Sequence, residues 1–111
     1  QDMRALLASA APEPAEAVAL FCYRIARELG SLAAALGGLD ALVFTAGIGE
    51  HAAPVREKIC RQSAWLGLRL DEAANARHAR RIATADSAVD ILVLPTDEEW
   101  MIAQHAAALL N

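Results

Sequence analysis

The sequence predicts an α/β fold in which helices pack on a mainly parallel sheet. Three observations predict it. Two apolar runs, "DALVFTA" at 40–46 and "VDILVLPT" at 89–96, lack polar alternation, as strands buried on both faces do. Segments with a helical apolar period surround them. The 111 residues are 56% hydrophobic but only 5% aromatic, so the core must be mostly Ala, Leu, Val and Ile. That suits helices layered on a buried sheet.

The elements follow in order. Residues 1–14, "QDMRALLASAAPEP", hold two prolines and no sustained period, so they read as a loop with one short helical turn at 4–9. A long helix is expected over 15–36, because Val18, Phe21, Ile25, Leu29, Leu32 and Leu36 recur at three- and four-residue steps. Gly37 and Gly38 end it, and Gly30 inside it permits close packing against a neighbour. After the first strand, Pro54 fits the first turn of a helix that runs to about Trp65 and buries Val55, Ile59, Cys60, Ser63 and Leu66. "LGLRLD" reads as a short strand or an extended connection, "DEAANARHARR" as a helical turn or two, and "RIATA" as a short strand. The second strand is stopped by Pro95, and "DEEWMIAQHAAALL" is expected as a final helix. Thr96 as N-cap with Glu99 three residues later forms a capping box. Asp97, Glu98 and Glu99 suit the positive end of the helix dipole.

Composition excludes several classes. The net charge is −4 with both signs interspersed, so no basic stripe points to nucleic acid. The apolar runs are too short to cross a bilayer, and the start lacks a signal-peptide pattern. Cys22 and Cys60 lie far apart without metal-ligand spacing. They read as reduced core thiols of a cytoplasmic protein. The opening Gln1 leads to the expectation of a fragment.

Ligands of parallel sheets bind beyond the carboxyl ends of strands. Two strand ends are therefore the places to look. The first carries Gly47-Ile48-Gly49-Glu50-His51. Glycines there let backbone N–H groups approach an anion at a helix start, although Glu50 would repel a bare phosphate unless it faces away or shares a metal. Gly47, Gly49 and Ala52 also match a dinucleotide fingerprint, with Asp71 near the position of a ribose-binding acid. A third reading is a purely structural turn in an interaction module. The second strand end carries the acids. Glu99 is explained by capping, which leaves Glu98 as the better candidate for Mg²⁺ or its waters. His51, His78 and His105 show no mutual ligand spacing, and His78 and His105 read as surface or helix-side residues. No nucleophilic triad assembles, and no Walker-type phosphate loop is present.

At these residues the chain resembles the C-terminal portion of the acetate kinase family. "GLDALVFTAGIGEHAAPVREK", "WLGLRLD" and "ILVLPTDEEWMIAQ" occur in the family's order, with "QDMRAL" and "FCYRIARELG" ahead of them. The resemblance implies a partial actin-like, ribonuclease H-like ATPase domain, with residues 1–111 as the C-terminal part of the nucleotide-binding domain of a carboxylate kinase. It implies ATP or ADP as ligand, with Asp2, Met3, Arg4, Gly47, Ile48, Gly49, Glu50 and His51 against the nucleotide. It implies Glu98 at Mg²⁺. Ala46 replaces a family glycine, and His51 and Asp97 replace family asparagines. The family's catalytic histidine and substrate-binding arginines have no match in this chain. The implied reaction of the whole enzyme is ATP plus acetate giving ADP plus acetyl phosphate. A short-chain carboxylate substrate and a homodimer are implied with it, and a fragment without those residues is expected to be inactive alone.

Overall fold

The computed structural model describes residues 14–45 and 52–94, and the backbone of 106–109. The order is α1 (Pro14–Leu36), β1 (Ala41–Thr45), α2 (Ala53–Gln62), a 3₁₀ turn (Ala64–Leu66), α3 (Glu72–Ala76), β2 (Asp90–Leu94) and β3 (Ala106–Leu109). The sheet order is β2-β1-β3, and both neighbours run parallel to β1. The expected α/β layout with a parallel sheet is what forms.

α1 starts and ends where its sequence demands. Gly37 takes a φ of +79° and Gly38 one of +129°. The Gly38 N–H donates to the Ala33 carbonyl at 2.8 Å, the hydrogen bond of a glycine-terminated helix. The buried face carries Ala17, Phe21, Cys22, Leu29 and Ala33, with Val18 and Ile25 packed against the core. Leu32 and Leu36 do not join it, and Leu36 is 52% exposed. The apolar seam of the helix runs on past the layer that covers it. Gly30 permits the expected close approach: a Cβ there would lie 3.4 Å from the Trp65 ring.

β1 is buried from Leu42 to Thr45, as an interior strand flanked on both edges must be. α2 lies after it with Pro54 in its first turn, and Val55, Ile59 and Cys60 are buried. The helix stops at Gln62, and the 3₁₀ turn carries the chain on to Leu66. That leaves Trp65 72% exposed and Leu66 only half-buried. Gly67 follows at φ +102°, and a Cβ there would meet the Ala88 methyl at 3.0 Å.

"LGLRLD" is an extended connection held by isolated bridges, Leu68 to Val89 and Leu70 to Ala83. "RIATA" likewise pairs only locally, through Arg81 to Leu92 and Ala83 to Leu70. α3 is a single short helix whose N-cap is Asp71, with Oδ1 accepting from the Ala74 N–H at 3.0 Å. Cys22 and Cys60 are free buried thiols. Burial pushes the Cys60 thiol up to about 12, against the opposing charge of Arg56.

One expectation is overturned. Residues 106–109 of the expected last helix form β3, paired in register with Ala41–Phe44. Alanine's helix preference is a weak prior that tertiary context overrides. Here the second edge of β1 offers a ladder of backbone partners. The helical turn at 4–9 and the capping box at 96–99 lie outside the described residues.

Candidate functional site

The strand register sets the geometry of the site. Thr45 pairs with Leu94 at the last rung between β1 and β2. The strands are parallel, so the chain leaves both at the same edge of the sheet, about 5 Å apart, the spacing of neighbouring strands. The glycine segment starts at one exit and the acidic segment at the other.

The chain re-enters the described fold at Ala52, the N-cap of α2, with φ −117°. An alanine has no side-chain oxygen to cap the first-turn N–H groups, and no side-chain cap bond forms there. Its carbonyl accepts the N–H of Val55 and of Arg56, each at 3.0 Å. Ahead of it the helix presents an N-terminus whose dipole favours negative charge.

Asp2, Met3, Arg4, Gly47, Ile48, Gly49, Glu50, His51 and Glu98 all lie outside the described residues. The structure thus places the exits from which two of these groups depart and leaves the third group unplaced. Among the described residues no cluster of three or more His, Cys, Asp or Glu side chains could hold a metal ion. Asp71 is accounted for without a ligand, as the cap of α3. It follows an isolated bridge at Leu70 rather than a strand of the sheet.

Between α2 and α3 stands a polar cluster that sequence reading missed. Arg56, on the inner face of α2, is completely buried. Its Nε donates to Asn75 Oδ1 at 2.7 Å, and Nη2 donates to the Asn75 carbonyl at 2.9 Å. Nη2 also lies 2.8 Å from His78 Nδ1. A guanidinium has only donors, so that ring nitrogen accepts. Asn75 Nδ2 in turn donates to the carbonyl of Ala53, the first residue of α2, at 3.0 Å. Burial pulls the Arg56 guanidinium below the usual arginine value, yet arginine stays charged at any physiological pH. His78 is exposed as expected, but its φ of +55° and its bond to Arg56 were not. A signal was present: Arg56 shares the helical line of Cys60 and Ser63, a position that ordinarily takes an apolar side chain.

A parallel α/β layer with glycine and acidic segments leaving adjacent strand ends is the layout of a ligand-binding α/β protein. Comparison with known proteins makes this specific. The model of the acetokinase family matches residues 1–104. An acetate kinase of Rhodopseudomonas palustris strain TIE-1 is 64% identical over 99% of this chain and 28% of its own length. One from Nitrobacter hamburgensis is 55% identical over 98% of this chain and 27% of its own length. Among solved structures, the acetate kinase of Porphyromonas gingivalis superimposes with a TM-score of 0.72 at 34% identity, over 89% of this chain and 26% of that one. A propionate kinase from Francisella tularensis gives 0.72 at 37% identity, over 94% and 28%. The chain belongs to the acetokinase family. It spans about 28% of the length of the curated acetate kinases it matches.

Proposed function

We propose that this chain supplies the strand-end part of the nucleotide site of a short-chain carboxylate kinase. In the whole enzyme a carboxylate oxygen of acetate would attack the γ-phosphorus of ATP. A new P–O bond forms, the bond to the β-phosphate oxygen breaks, and ADP leaves with acetyl phosphate as the other product. In this chain, Gly47 and Gly49 would let backbone N–H groups reach the nucleotide. Ile48, Glu50 and His51 would shape the turn around it, and the Asp2-Met3-Arg4 segment would meet the same ligand. Glu98 would hold Mg²⁺, which neutralises phosphate charge in phosphoryl transfer. Homodimer formation and a cytoplasmic location belong to this reading and rest on family likeness. So does inactivity of the chain alone, since the residues that would bind acetate have no match in it.

The observation that carries the reading is the Thr45–Leu94 pairing. It starts the glycine segment and the acidic segment side by side, as a ligand bound by both requires. Two substitutions test it. Gly49→Val is expected to abolish Mg-ADP binding while the fold persists, because a branched side chain blocks close approach of the phosphates. Glu98→Ala should weaken the Mg²⁺ dependence of binding, whereas Glu99→Ala should mainly cost about 0.5–2 kcal/mol of stability through a lost cap. Unchanged ADP affinity in Gly49→Val would remove the turn from the site, and identical behaviour of the two glutamate variants would undo their division of roles.

A further inference from the structure

We infer that Arg56, Asn75 and His78 are positioning residues that fix the first turn of α2 against α3. The inference rests on the nucleotide reading only for what that turn serves. Three observations carry it.

The first is the route of the hydrogen bonds. Arg56 is held twice by Asn75, through Oδ1 and through the main-chain carbonyl. Asn75 then returns to Ala53, the opening residue of α2. The cluster thus closes a loop from the helix start, through its inward-facing arginine, to α3 and back. The second is the composition of the surroundings. Val55, Ile59 and Cys60, all on α2, are buried in the core cluster. An apolar residue at position 56 would suit that neighbourhood, and well-packed apolar replacements of buried charge are often neutral or stabilising. A completely buried guanidinium in that place is therefore not explained by stability.

The third is the backbone of His78. It follows α3 in the left-handed region, at φ +55°. Its N–H donates to the Asn75 carbonyl at 3.1 Å, and the Ala79 N–H donates to the Ala74 carbonyl at 3.0 Å. This is the helix-ending motif in which glycine is the usual residue at that position. A histidine there accepts a disfavoured conformation and brings Nδ1 to Arg56. An outlying backbone angle joined to a buried charge cluster marks a place where geometry is being held.

What is held is the helix start at Ala52, which has no side-chain cap bond and where the chain re-enters the described fold after the glycine segment. A small rotation of α2 would re-aim its first-turn N–H groups.

The test uses Asn75→Asp in the 111-residue chain. The carboxylate still offers an acceptor to Arg56 Nε, so the buried charge keeps its partner. It cannot donate to the Ala53 carbonyl, so the return link to α2 is lost. The thermal midpoint should stay near that of the native chain. Amide hydrogen exchange at Val55 and Arg56 should quicken at least tenfold, while Leu29 and Ile91 keep their protection. Mg-ADP affinity should fall several-fold. His78→Gly is the second variant: it keeps the left-handed cap and removes the ring, and should move the same readouts in the same direction. A purely structural cluster would move the midpoint and the core amides together, and that result overturns the inference. So would native exchange at Val55 and Arg56 in both variants. If the native chain binds no Mg-ADP, the nucleotide reading fails, while exchange at Val55 and Arg56 still decides the role of the cluster.

Discussion

Arg56 and Arg81 place the same guanidinium in opposite surroundings. Arg81 pairs with Asp90 through an Nε–Oδ1 contact of 2.7 Å, with both side chains well exposed. Arg69 does the same with Asp86, also at 2.7 Å. These have the geometry of strong pairs, but water screens them, and such pairs are worth about 0–1 kcal/mol. Arg56 is completely buried, and it is hydrogen-bonded to Asn75 and His78. Each donor it presents there lacks water to fall back on, so each bond is costly to lose. The contact distances hardly differ between the two regions. Burial decides which arginine matters.

The largest effect expected from this contrast is at Arg56. Arg56→Ala leaves the buried Asn75 acceptor short of its donor and opens a void beneath α2. A loss of about 3 kcal/mol is expected, read from urea unfolding. A loss under about 1 kcal/mol would erase the distinction between the two regions.

A smaller effect comes from raising the pH. The folded Cys60 thiol keeps its proton up to about 12, against an ordinary value of 9.0. Cys22 is also raised, mainly by burial. Between those pH values the unfolded chain binds fewer protons than the folded one, so stability falls as pH rises. It is fully present below pH 9 and declines toward pH 12. Cys60→Val should flatten much of that slope in pH-resolved unfolding curves. An unchanged slope would shift the alkaline sensitivity elsewhere.

The exposed pair should respond least. Arg81→Gln is expected to cost under about 1 kcal/mol, and moderate salt should shrink the difference further. At low pH the exposed region acts in its own way. Asp86 is held below the usual carboxylate range by hydrogen bonds from Thr84 and Arg69 and by the charge of Arg69. Its contribution is present above the ordinary carboxylate pKa and is lost as pH falls through the lowered one. Thr84→Val should raise the Asp86 pKa in an NMR titration, and no movement would show that the hydroxyl is not the main cause.

The same contrast explains what the sequence revealed. α1, β1, α2 and β2 were readable because each carries its own pattern: a helical seam from Val18 to Leu29, and two unbroken apolar runs. Gly37, Gly38 and Pro54 punctuate them locally. β3 was misread because "HAAALL" has no period that separates helix from strand, and only the open edge of β1 settles it. Leu32 and Leu36 fit the seam, yet the pattern cannot tell how far the covering layer extends. The Arg56 cluster escaped for a related reason. Arg56 and Asn75 are 19 residues apart, and only the packing of α3 on α2 brings them together. At the candidate site, the adjacency of the two strand exits follows from two buried strands being parallel neighbours. The residues themselves singled out Gly47, Gly49 and Glu98 but left their roles open, and family resemblance chose among the alternatives because it reads whole motifs where periodicity reads only faces.

The most direct measurement of the central claim is an NMR titration of the chain with Mg-ADP, with NADH in parallel. The account predicts shifts at Gly47, Ile48, Gly49, Glu50, His51 and Glu98 with Mg-ADP and none with NADH. Shifts with NADH alone, or silence at both strand-end segments under saturating Mg-ADP, would contradict it.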